Sequence, residues 1–191
     1  MKSKMEMNPN TKKSIYKLVA AAVCAALCVV LPFAFHAIPN GGTIFSPMHL
    51  PVLLCGIVCG PLYGLTCGLL GPLLSSLLTG MPGMAFLPTM MFELALYGLI
   101  SGLFMKHLHT GKQTADLYIS LLAAMLSGRI LTGIARALIF TKGGYSLKAW
   151  ATGYFVSCLP AIILQLILIP ILYIALQKAG VVPNRNTKTN G

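Results

Sequence analysis

Charge is the scarcest commodity in this chain. Only 9% of its 191 residues are Asp, Glu, Lys or Arg, where a soluble domain carries about a quarter. No sizeable water-soluble domain fits that composition, because the polar ends and loops are all short. Acidic residues are rarest, three against fourteen basic ones. Across the 88 residues from Leu18 to Met105, Glu93 is the single formally charged side chain. Catalytic machinery is missing as well. The chain has no HExxH, no G-x-S-x-G and no paired aspartates in an apolar run, so no nucleophile–base pair offers itself for an enzyme. No Walker A loop occurs, so the chain cannot itself draw power from nucleotide hydrolysis. Nor are there two matching halves of the kind that build many secondary transporters.

Metal and cofactor chemistry finds little purchase. His107 and His109 are two apart, which is not a shared helical face, and His49 stands alone in an apolar stretch. Cysteines 24, 28, 55, 59, 67 and 158 all fall in predicted helices with no further ligands clustered nearby. They read as small polarizable core residues, without disulfides. No metal and no cofactor is expected.

What remains is apolar. Hydrophobic residues make up 57% of the chain and mean hydropathy is +0.82. Counted against the roughly 20 residues that span a bilayer, the runs give six helices: Ile15–Phe35, Pro47–Cys59, Leu62–Leu78, Ala85–Lys106, Ala115–Phe140 and Tyr154–Gln177. The second and third are separated by Gly60-Pro61, a turn signal. Both are short for a perpendicular crossing, which allows a partly re-entrant path or burial in protein. The basic start of the first run resembles a signal peptide, but the run is long and no small-x-small cleavage site follows, so it reads as a true helix.

Lys and Arg placement sets the orientation. Ten basic residues flank the termini and the loop after the fourth helix, whereas only Lys142 and Lys148 lie on the other side. Both termini are therefore expected in the cytoplasm. The net charge of +11 is topology plus attraction to anionic lipid, not a nucleic-acid surface. The expected fold class is an all-α integral membrane protein, a six-transmembrane-helix bundle. Residues 1–13 and 179–191 are expected as flexible cytoplasmic ends of a membrane domain at 14–178.

Against this apolar background three charges stand out: Glu93, Arg129 and Arg136. A charge near the bilayer centre costs about 2.5–3.5 kcal/mol even on the lenient insertion scale, so it faces a partner or a polar cavity. Glu93 and Tyr97 are four apart and share a face. At 1.5 Å per residue Glu93 lies roughly 12 Å below the outer end of its helix, Arg136 roughly 7 Å and Arg129 roughly 18 Å. One carboxylate cannot neutralise two guanidiniums, and an arginine fork matches carboxylate or phosphate. A ligand site fits this pattern, and so does a structural lock between helices. Gln165, at mid-helix, serves either a helix contact or a ligand.

Other segments are suited to packing or to closing over a site. Ala21 with Ala25, and Ala22 with Ala26, form two small-xxx-small pairs, which let a helix approach closely, inside the bundle or from a partner. Gly56, Gly64 and Gly68 suit tight helix packing. The loop His36–Ser46 holds Asn40 among turn residues, with Phe45 able to fold back over a pocket. Met81, Met84, Met90 and Met91 are adaptable fillers that suit either a site or lipid. Trp150 and Tyr154 sit where an aromatic belt is expected.

In order and spacing these pieces resemble the substrate-binding S components of energy-coupling factor (ECF) transporters. The resemblance is carried by the alanine pairs, the long outer loop, PVLLCGIVCGPLYG (Pro51–Gly64), the GMP loop, FELALYG (Phe92–Gly98), SGRI (Ser127–Ile130) and LPAIILQLILIP (Leu159–Pro170). It implies a six-helix prokaryotic plasma-membrane protein that binds one vitamin or related micronutrient near its outer face. It implies association with a membrane coupling subunit and two cytoplasmic ATPase subunits. The alanines at 21, 22, 25 and 26 then become the docking strip, and Glu93, Tyr97, Arg129, Arg136, Asn40, His49 and Gln165 become candidate substrate contacts.

Overall fold

The computed structural model describes residues 8–34, 41–140 and 147–182, and every regular element among them is helical. In chain order these are α1 (Pro9–Ala34), α2 (Gly41–Phe45), α3 (His49–Cys59), α4 (Pro61–Thr79), α5 (Leu87–His107), α6 (Gln113–Ala135), α7 (Leu147–Ala151) and α8 (Leu159–Lys178). A π-helical turn, Arg136–Phe140, extends α6, and a second, Thr152–Val156, extends α7. Five helices are long and apolar enough to cross a membrane, and α3 is a shorter apolar helix.

Local sequence explains most boundaries. Helices α4, α5 and α8 each carry Pro in the first turn, where its missing N–H would have had no helical partner. Helix α4 stops at Gly80, whose left-handed backbone (φ 74°) lets its N–H bond the Ser76 carbonyl. Helix α5 ends on Lys106 and His107, cations placed at the negative end of the helix dipole. The loop that follows α4 is tied back to it: Ser75 Oγ donates to the Met81 carbonyl (2.7 Å) and Ser76 Oγ to the Pro82 carbonyl (2.9 Å).

Helix α3 is the hub. At 11 residues it is about 16 Å long, too short to span hydrocarbon alone. All but one of its residues are buried, and it packs against α1, α4, α5, α6 and α8. A helix apolar all round belongs inside protein, which removes the difficulty its length posed. The closest crossing is between α4 and α5. A Cβ on Gly64 would collide with the Gly98 carbonyl, and one on Gly98 with the Gly64 carbonyl, so these two backbones touch as small residues permit in lipid. Helix α1 lies at the periphery, with 11% of its apolar window buried.

Candidate functional site

The buried charges assemble around one tyrosine. Tyr97, on α5, is completely buried. Its hydroxyl donates to Glu93 Oε1 (3.1 Å) one turn earlier and accepts from Arg129 Nε on α6 (3.0 Å). Arg129 is 3% exposed. The sequence allows direct contact between Glu93 and an arginine; the structure places the phenol between them. From α3, His49 brings Nε2 to 3.5 Å from Glu93 Oε1, and its ring lies 5.1 Å from the Tyr97 ring, tilted by 58°. Four residues from three helices thus share one polar cluster.

Small residues make room for it. Gly128, one residue before Arg129, lies against the Tyr97 ring, and a Cβ there would overlap ring carbons. Gly133 accepts the Trp150 indole in the same way. Trp150 Nε1 also donates to the Arg129 carbonyl (3.3 Å). The tryptophan is thereby a cover packed on the end of α6 above the arginine.

Further polar groups are buried on α6 and α8. Gln165, on α8, is 1% exposed and Thr132, on α6, is fully buried. Among the described residues neither amide atom of Gln165, nor Thr132 Oγ1, nor His49 Nδ1 has a hydrogen-bond partner. Each such atom costs about 1–3 kcal/mol when left unmet. Thr132 escaped the sequence reading, although its position three residues beyond Arg129 puts it on the same helical face. Arg136 lies at the α-to-π transition and is half-buried. Asn40 falls outside the described residues.

The family profile described as "ECF transporter, substrate-specific component" matches residues 16–173, well over half of the chain. The chain belongs to that family. Comparison with curated proteins gave no match. This S component is therefore a substrate-specific membrane subunit of a transporter, crossing the membrane several times and built to work with an ECF module.

The alanine strip of the S component is divided by the helix. Ala21 and Ala25 pack against the core, while Ala22 and Ala26 are exposed beside Leu18, Val19, Val23 and Val30. The methionines divide as well. Met81 and Met84 are exposed, and Met90 packs on the core. Short helix α2, which ends at the half-buried Phe45, packs against α8. The five cysteines on α1, α3 and α4 are buried with free thiols, and Cys158 is half-buried. Among the described residues no group of His, Cys, Asp and Glu could hold a metal ion.

Proposed function

We propose that this S component is the high-affinity binding subunit through which a prokaryotic cell imports a vitamin or related micronutrient across its plasma membrane. The observation that carries the reading is the largely buried Glu93–Tyr97–Arg129–His49 cluster inside a bundle otherwise almost without charge. Polar groups held this deep in membrane helices mark ligand paths. The cargo lies between α3, α5, α6 and α8, and Asn40 remains a candidate contact from outside the described residues. Arg129 on α6 and Arg136 on the π-helical turn that extends it, against the one carboxylate of Glu93 on α5, favour a cargo bearing a carboxylate or phosphate, which an arginine fork holds through two parallel hydrogen bonds.

Six membrane crossings with both termini cytoplasmic are supported by the ten-to-two distribution of basic residues. The subunit is non-catalytic. ATP hydrolysis comes from two cytoplasmic partner subunits, linked through a membrane coupling subunit. Docking on the exposed Ala22/Ala26 side of α1 fits its peripheral place in the bundle.

A second reading is favoured by the Tyr97 bridge itself, which ties α5 to α6 and could be a structural lock alone. Purification in mild detergent from cells grown in rich medium, then denaturation and mass spectrometry of released small molecules, separates the two. A stoichiometric vitamin is expected, together with weakened binding and an intact fold in Arg136→Ala. An empty protein that gains no thermal stability from a vitamin panel would leave the lock.

A further inference from the structure

The charged cluster meets most of its own needs, but the groups beside it do not. Gln165 enters α8 six residues after Leu159, just as Glu93 enters α5 six residues after Leu87, so both lie roughly 9 Å along their helices. Helix α8 packs on α3 and α6, and Trp150, which precedes it in the chain, rests on Gly133 and the Arg129 carbonyl. Gln165, Thr132 and His49 therefore come from three mutually packed helices at the end of the bundle that holds Arg129 and Glu93.

Their bonding is abnormal for buried groups, of which roughly nine in ten have a partner. A buried helical hydroxyl ordinarily bonds the carbonyl one turn back. Buried Ser120 does so to Asp116 (2.6 Å), and half-buried Thr79 does so to Ser75 (2.7 Å). Thr132 makes no such bond. Gln165 is more telling still, since at 1% exposure it offers a complete acceptor–donor pair with nothing bound to either atom. A leucine would fill that position with no polar atom to satisfy. Helix packing gives no reason for an amide there, whereas a bound molecule does.

We propose that Gln165, Thr132 and His49 form the neutral half of the cargo site, and that the cargo carries, beside its acidic group, a cis-amide edge such as a cyclic ureide or lactam. This rests on the binding-subunit reading and adds the second chemical feature of the ligand. A carboxamide presents C=O and N–H side by side, so it pairs with an edge that offers N–H and C=O side by side in return. With the His49 proton on Nε2 toward Glu93, Nδ1 accepts a further N–H from the ligand. The Thr132 hydroxyl donates to or accepts from the remaining position.

Three acids that differ in this edge test it on the full-length protein in mild detergent, purified from cells grown without added vitamins. Biotin carries a cyclic ureide and folate a lactam, whereas lipoate has an acid tail like that of biotin and no amide. Melting is measured for the wild type, Gln165→Leu and Thr132→Val, with and without each compound. Without ligand, both variants are expected to melt at or above the wild type. Biotin or folate should stabilise the wild type more than lipoate does, with a Kd about tenfold weaker in Gln165→Leu. A ligand-free Gln165→Leu that melts several degrees lower would overturn the inference, because the amide would then be holding helices together. Equal or better stabilisation by lipoate would overturn it too, while leaving the binding-subunit reading intact. No stabilisation by any of the three overturns the assigned cargo chemistry.

Discussion

Replacing Tyr97 with Phe removes one oxygen from the centre of the polar cluster and leaves the ring on Gly128 in place. That oxygen makes two hydrogen bonds, to Glu93 Oε1 at 3.1 Å and from Arg129 Nε at 3.0 Å. Each involves a charged group, and such bonds contribute about 1.5–3 kcal/mol net. Tyr97 is completely buried and Arg129 nearly so, so water does not readily replace the lost partner. Glu93 keeps His49 Nε2 at 3.5 Å, which offsets part of the loss, and relaxation of the arginine toward the carboxylate offsets more. The lower end of the sum, about 3 kcal/mol, is the expected cost. At about 2–4 °C per kcal/mol for a chain of this size, ligand-free Tyr97→Phe should melt roughly 6–12 °C below the wild type. The assay is thermal unfolding in mild detergent, followed by tryptophan fluorescence from the single Trp150, which packs on the arginine's own helix. A drop of under about 2 °C would refute the reasoning. It would mean that Glu93 and Arg129 are satisfied without the phenol and that the bridge contributes little.

Two further perturbations address packing and docking. Gly128→Ala puts a methyl into the Tyr97 ring; overpacking of this kind costs about 1–3 kcal/mol, and ligand binding should weaken as the hydroxyl is displaced, measurable by melting with and without cargo. Ala22→Leu, on the exposed side of α1, should leave the melting temperature within about 2 °C and weaken co-purification with the ECF module, whereas Ala21→Leu, against the core, should lower stability. Unchanged assembly in Ala22→Leu would remove that side of α1 from the interface.

Much of the fold was legible because a lipid-facing helix needs little more than length and apolarity. The break at Gly60-Pro61 appears where the sequence places it, with α3 ending at Cys59 and α4 starting at Pro61. The sequence leaves open how so short a helix as α3 is accommodated. Its apolar residues all round are compatible with lipid or with protein, and only the helices packed around it decide. The relation between Arg129 and Arg136 was also beyond the pattern. The backbone between them is α-helical as far as Ala135, so they point nearly the same way, yet Arg129 is buried and Arg136, where the π-helical turn begins, is half-buried. Such turns arise from local insertions in the hydrogen-bond ladder and recur at functional sites. No residue type here announces one.

The polar groups held inside the bundle were legible by contrast. Among long apolar runs any Glu, Arg or Gln is conspicuous, and Glu93, Arg129 and Gln165 needed no further signal. Tyr97 could be placed beside Glu93 from spacing, but its role as the acceptor for Arg129 depends on how α5 crosses α6, which the glycine at 128 permits without dictating. Thr132 shows where reading residues one at a time fails. Threonine in an apolar helix is unremarkable, because its hydroxyl normally bonds its own backbone and disappears from the polar inventory. Thr79 behaves so and Thr132 does not, a difference invisible in the residue name. The groups most informative about a ligand are thus the buried ones that decline an available internal partner. In this S component the charges of the cluster are already tied to one another, so the proposed choice among cargoes falls to the neutral groups rather than to the charges.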